Sequence, residues 1–235
     1  MAGQNALNEG ISLYNHGKFS AALSFFLSLP EDDNIDDVEL AYYIGLCYAK
    51  LKRYDDALLY LEQVVTASGD GTSSRKNAEA DRLLQCRYLL AVIYCLSGRK
   101  KLAEFELGKL LEIGYRPSSV YASLAYIAWE QNNPDQSLAY YSSALEADSN
   151  NPTALNGMGY VLAEQNKDLT QALSYCKKAL DREPESAACL DSLGWVYFKM
   201  GLYAESRKYL EKALERDASN HTIAEHLSLA QRVEE

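Results

Sequence analysis

The residues of this 235-residue chain best suited to nucleophilic or metal chemistry are five cysteines and three histidines. Cys47, Cys86, Cys95, Cys176 and Cys189 are odd in number and include no C-x-x-C pair, so their spacing builds neither a disulfide framework nor a zinc site. They read as small buried thiols. Of the histidines only His221 and His226 lie near each other, and five residues at about 100° each set them roughly 140° apart on a helix. A zincin-type pair needs ligands four apart, so Glu225 between them completes no motif. The acidic run Glu31, Asp32, Asp33, with Asp36 and Asp37, has the oxygen ligands that calcium takes but lacks the central glycine of an EF-hand loop. It reads as a solvated loop supplying a helix N-cap. The basic cluster Arg99, Lys100, Lys101 falls in a turn between helices and reads as a solvated edge. No nucleophile with a base, no phosphate loop and no ligand cluster is left, so the chain is expected to be non-enzymatic, with no catalytic residue, metal or cofactor.

Composition narrows the partners. With 23 basic and 33 acidic residues the net charge is −10, which repels phosphate backbones and anionic membrane surfaces, so nucleic acid is excluded as a partner. The longest uncharged stretch, from Ser149 to Ala163, falls below the roughly 18 residues of a membrane-spanning helix, and no direct membrane insertion is expected. Unpaired cysteines favour a reducing cytoplasm; a periplasmic or envelope location stays open if an N-terminal lipoprotein signal has been removed. Aromatic usage is lopsided at 18 Tyr against 5 Phe and 2 Trp, a preference for rings that sit half in and half out of water.

The elements that position those rings are helices. Apolar residues recur at helical spacing along most of the chain, and self-similarity appears at a period of 34. The clearest copy runs from Ala187 to Asn220: Leu190, Leu193, Gly194 and Tyr197 on a first helix, Gly201 and Tyr203 at a turn, then Ser206, Leu210 and Ala213 on a second. The same register gives repeats at 3–36, 38–71, 84–117, 118–151 and 152–186, the last with one inserted residue near Asp168. Position 8 reads Gly10, Gly45, Ala91, Ala125, Gly159 and Gly194, and position 20 reads Ala22, Ala57, Ala103, Ser137, Ala172 and Ser206. All are small, as required where paired helices cross most closely. The pattern resembles the tetratricopeptide repeat. That resemblance implies an all-α fold: a right-handed α-solenoid superhelix of helix-turn-helix repeats, forming one domain over 3–235.

The departures from the pattern are local. Pro184 is the single proline at position 32, and Glu9 takes the usual leucine place of the first repeat, whose second helix Pro30 and the acidic run should shorten. The twelve-residue insertion 72–83 predicts a Gly/Ser-rich loop, then an early start to the next helix with Ser73 or Ser74 as cap, running to about Ser97. Residues 221–235 predict a capping helix with a polar outer face.

In tetratricopeptide-repeat proteins the face carrying positions 5, 9 and 12 lines a concave groove. Here sixteen of those eighteen residues are apolar or aromatic and eight are aromatic: Tyr14, Tyr42, Tyr88, Tyr126, Trp129, Tyr160, Trp195 and Phe198. Asn156 and Asp191 are the two polar members. A soluble protein rarely leaves so large an apolar surface uncovered, and such rings are typical anchors of partner recognition. These ten residues are the candidate partner-binding set; packing of the same face against the next repeat is the alternative. If the rings are free, alanine at Trp129 and Trp195 should abolish binding at no cost to the fold. The carboxylate-clamp pattern of Lys and Asn at positions 5 and 9 is absent, as is an asparagine ladder at position 6, which reads Asn8, Tyr43, Leu89, Ser123, Gly157 and Ser192.

The expected function is a protein–protein interaction scaffold that takes an apolar or amphipathic peptide or helix in an aromatic groove. The alternative is a structural or self-associating component of a bacterial envelope, secretion or pilus-type assembly. Its basis is the similarity of the last two repeats, with Asp191, Ser192, Leu193, Gly194 and Trp195 in succession, to bacterial members of the family.

Overall fold

The computed structural model describes the backbone of residues 2–30, 35–68 and 77–233 and divides into two compact units, Met1–Tyr115 and Arg116–Glu235. Among the described residues there are thirteen α-helices and no strand. Unit 1 holds α1 (Ala2–Asn15), α2 (Phe19–Leu27), α3 (Asp37–Lys50), α4 (Tyr54–Ser68), α5 (Asn77–Leu96) and α6 (Lys100–Ile113). Unit 2 holds α7 (Pro117–Glu130), α8 (Pro134–Ala147), α9 (Pro152–Glu164), α10 (Leu169–Arg182), α11 (Ala187–Lys199), α12 (Tyr203–Arg216) and α13 (His221–Arg232). The division falls where the third expected repeat gives way to the fourth, so each unit contains three helix pairs and unit 2 also carries the final helix.

Each pair is joined by a turn with a residue in the left-handed region, namely Gly17, Lys52, Gly98, Asn132, Asn166 and Gly201, with φ between 51° and 76°, and the α9–α10 turn adds a second at Asp168 (φ 36°). The turns share one hydrogen-bond pattern, in which the amide after that residue reaches five residues back, as from Arg53 to the Tyr48 carbonyl (2.9 Å) and from Leu202 to the Tyr197 carbonyl (2.9 Å). This closes the first helix and aims the chain into the second. Helix starts are marked by side-chain caps. Asp36 accepts from the Val38 and Glu39 amides, Asn151 from Ala154 with Pro152 following, and Asn220 from Ile223. Helix α2 has nine residues where α6, α8, α10 and α12 have fourteen, as Pro30 leads one to expect. Helix α5 begins at Asn77 and ends at Leu96; Ser73, Ser74 and the run Glu31 to Asp33 lie outside the described residues.

The crossings explain the small residues. A Cβ added to Gly194 would stand 2.7 Å from Leu210 Cγ and 3.2 Å from its backbone nitrogen, and one on Gly45 would meet Leu61 Cδ2 at 2.7 Å. At position 20, Ala22, Ala57, Ala103, Ser137, Ala172 and Ser206 are all fully buried. The two serines carry a defect there: neither Ser137 Oγ nor Ser206 Oγ has a hydrogen-bond partner. An unpaired buried hydroxyl is destabilising, and alanine is also the better helix former. Ser206→Ala is therefore expected to raise stability by about 1 kcal/mol in denaturant titration, with Ser137→Ala behaving alike.

Four of the cysteines, Cys47, Cys86, Cys176 and Cys189, are buried and Cys95 is half-buried. Burial pushes their thiols up, Cys47 and Cys95 to about 11 and Cys86 to about 12, so the reactive thiolate is scarce at neutral pH.

Candidate functional site

In unit 1 the candidate face is partly covered by its own neighbours. Tyr14 is half-buried, with its ring 5.3 Å from Phe19 and edge-on to Tyr43 at 5.9 Å. Tyr42 is only 5% exposed. Its cover includes Arg82, from the part of α5 that precedes the repeat register. The guanidinium lies 5.7 Å from the Tyr42 ring and bonds to Glu39 of α3 at 2.7 Å. The insertion therefore contributes a strap across α3, and burial raises the Tyr42 hydroxyl well above its usual range. Tyr88 remains half-buried.

Unit 2 contains the other seven candidates, and they separate into two groups. The first is an anchored cluster around Trp195. This ring is 6% exposed, sandwiched between Phe198 (centroids 4.9 Å apart, planes 7°) and His226 of α13 (4.0 Å, 16°). Its indole N–H donates to the Glu164 carboxylate, and the Lys199 ammonium stands 4.9 Å from the ring centroid. Asp191, also buried, holds the other side of the latch: its Oδ1 lies 2.9 Å from His226 Nδ1. A carboxylate oxygen accepts, so that ring nitrogen is the donor. The expectation that alanine at Trp195 is harmless to the fold is corrected by this burial, since truncation would empty a packed slot between α11 and α13.

The second group keeps accessible surface. Tyr126 is 42% exposed and Trp129 is half-buried, set edge-on to Tyr160 at 5.9 Å and 87°. Tyr160 is half-buried too; burial pushes its hydroxyl up to about 12, with Glu164, Asp191 and Glu130 adding to the rise. One turn before Tyr160 on α9, Asn156 is half-buried, and its Oδ1 is buried without a hydrogen-bond partner. An amide oxygen in that state costs free energy until something donates to it. The structure thus places Tyr126, Trp129, Asn156 and Tyr160 on α7 and α9, and Tyr160 adjoins the cluster of Asp191, Trp195 and Phe198 through His226, whose ring centroid lies 6.4 Å from its own.

Glu164, Lys199 and His226 are the participants that sequence reading missed. Glu164 meets Trp195 at the spacing of 31 residues at which Trp129 meets Tyr160, though it stands one register position later than Trp129 because the repeat 152–186 has an extra residue. Gly157 was missed as well. A Cβ there would collide with the buried Tyr141 ring, so position 6 of this repeat is a slot for a framework tyrosine. Among the described residues no three His, Cys, Asp or Glu converge as a metal site, and no helix is long and apolar enough to cross a membrane.

Three profiles described as tetratricopeptide repeat match the chain, over residues 7–72, 118–151 and 150–219. Among solved structures, a tetratricopeptide repeat protein from Parabacteroides merdae superposes with a TM-score of 0.74 at 15% identity, covering 97% of this chain and 83% of that one. The APC/C hetero-tetramer Cut9–Hcn1 gives 0.71 at 15% identity, covering 95% of this chain and 42% of the other. MamA protein gives 0.51 at 18% identity, over 77% and 92%. At such identities the likeness is one of fold. No curated protein sequence matches the chain.

Proposed function

The chain belongs to the tetratricopeptide repeat family, and from that premise we propose that it is a non-enzymatic protein–protein interaction scaffold whose partner, an apolar or amphipathic peptide segment, binds the face formed by Tyr126, Trp129, Asn156 and Tyr160. The observation that supports this reading is the buried Asn156 Oδ1 without a hydrogen-bond partner, one helical turn before Tyr160 on α9. A peptide backbone supplies the N–H donor that this oxygen lacks, while its side chains fill the spaces between Tyr126, Trp129 and Tyr160. In this reading Asp191, Trp195 and Phe198 pack around α13, and Tyr14, Tyr42 and Tyr88 pack within unit 1, rather than gripping the partner.

Asn156 supplies a test that separates binding from folding. Replacing it with alanine removes a buried, unpaired group, so fold stability should hold or rise while binding falls. Tyr126→Ala, at an exposed ring, should leave the melting temperature close to wild type. Affinity capture from the source organism, quantified by mass spectrometry, should show a protein retained by the wild type and reduced about tenfold or more by Tyr126→Ala/Asn156→Ala, which corresponds to the loss of one anchor ring. Equal recovery by the folded double variant would overturn the assignment of this face. A chain that recovers only further copies of itself would favour the self-associating reading instead.

A further inference from the structure

The face that carries Tyr126, Trp129 and Tyr160 is acidic where the next repeat is basic. One turn after Trp195 on α11 stands Lys199, whose ammonium lies 4.9 Å from the Trp195 ring centroid. The same place in the register is Glu164 on α9, one turn after Tyr160, and Glu130 on α7, one turn after Tyr126. An aromatic ring face is electron-rich, and a cation is its natural complement. The repeat whose ring packs against α13 thus carries its own cation, while the two repeats whose rings keep accessible surface carry carboxylates in its stead. Among the described residues neither Trp129 nor Tyr160 has a cation over its ring.

Glu164 also has an oxygen left over. Its side chain is 25% exposed, and both of its contacts fall on Oε1, which accepts the Trp195 indole N–H and stands 4.0 Å from the Lys199 ammonium. Among the described residues Oε2 has no partner. Asp191 is engaged with His226 and offers no such oxygen, but its charge still counts. Glu164, Asp191 and Glu130 each push the Tyr160 hydroxyl upward, and no cation pulls it back. The net charge of the whole chain, −10, has the same sign. Charge complementarity therefore calls for a cation at this face from outside the chain. Arginine suits it better than lysine, because a planar guanidinium stacks on a ring and still directs the N–H groups of its edge to a carboxylate.

Building on the peptide-binding reading given above, we propose that the segment bound at this face is a basic one, anchored by an arginine whose guanidinium lies against the Trp129–Tyr160 pair and donates to Glu164 Oε2. Asn156 and Glu164, one turn before and one turn after Tyr160, share its side of α9. The first takes a backbone N–H of the segment and the second takes its charge.

The probe is a library of short random peptides displayed on phage and selected on the full chain. The selected peptides should share an arginine. A synthetic copy with citrulline in its place keeps the shape and loses the charge, and should bind at least about tenfold more weakly in calorimetric titration. Glu164→Gln should weaken the arginine peptide by a similar factor and leave the citrulline twin nearly unchanged, and added salt should weaken the arginine peptide alone. Glutamine keeps an acceptor for the Trp195 indole, so the melting temperature should hold; Glu130→Gln, at an exposed side chain, is a second variant with the same expected direction. Peptides that need Tyr126 and Asn156 but lack arginine, that bind equally well as citrulline twins, or that ignore both glutamine variants overturn this inference and leave the peptide-binding face standing. Arginine peptides that bind Tyr126→Ala/Asn156→Ala as tightly as the wild type, or the absence of any peptide that depends on those two residues, overturn the face and the inference together.

Discussion

Trp195→Ala is expected to be among the most damaging single substitutions in unit 2, lowering stability by about 3–5 kcal/mol, the usual cost of emptying a buried aromatic site. Three interactions are lost together: the stacks on Phe198 and His226 and the bond from the indole N–H to Glu164. The Glu164 carboxylate then keeps the Lys199 ammonium, at 4.0 Å. Because His226 belongs to α13, the loss should appear first as fraying of that helix, so hydrogen exchange across residues 221–232 should accelerate before the rest of the unit opens. Trp195→Phe keeps a stacking ring but not the N–H donor and should fall between the two. A double-mutant cycle with His226→Ala should give a coupling of about 1 kcal/mol or more, since the residues are in direct contact. If Trp195→Ala melts like the wild type, α13 is not latched as described.

Gly194→Leu should be comparably severe for a steric reason. The first atom of any side chain at this position already crowds Leu210, including its backbone nitrogen at 3.2 Å, so α11 and α12 must move apart. Overpacking of this sort costs about 1–3 kcal/mol and sometimes more. Gly108 in α6 is the internal control, because a Cβ there meets nothing within 4 Å. Gly108→Ala should stabilise by about 0.5–1 kcal/mol through helix propensity alone. Chemical denaturation of the pair gives opposite signs if the crossing geometry is right; a neutral Gly194→Leu would contradict it.

These two sites also show what could be read from the residues. Gly194 was legible because a helix crossing admits only small side chains, a demand repeated at Gly10, Gly45 and Gly159 and therefore visible as periodicity. The turns were partly legible: Gly201 announces a left-handed residue, whereas Lys52, Asn132 and Asn166 fill the same place without the glycine that would mark it. The accessibility of the rings was not legible. Tyr126 and Trp195 occupy the same position of their repeats, yet one is 42% exposed and the other 6%. The difference lies in the next helix, where His226 supplies a ring and a donor that suit Trp195 and Asp191. Periodicity reports which face a residue takes; it does not report the chemistry of the side chain that arrives opposite. Asn156 illustrates the same limit, since its missing hydrogen-bond partner exists only as a property of the packed environment.

The most direct test of the partner face is site-specific photo-crosslinking, with benzoylphenylalanine placed at Tyr126 on the accessible aromatic face and, separately, at Lys208 on the exposed outer side of α12. In extracts of the source organism, irradiation should attach a partner polypeptide at position 126 and none at position 208. Crosslinks from 208 alone, or equally from both, would contradict the assignment of Tyr126, Trp129, Asn156 and Tyr160 as the surface through which this protein recognises its partner.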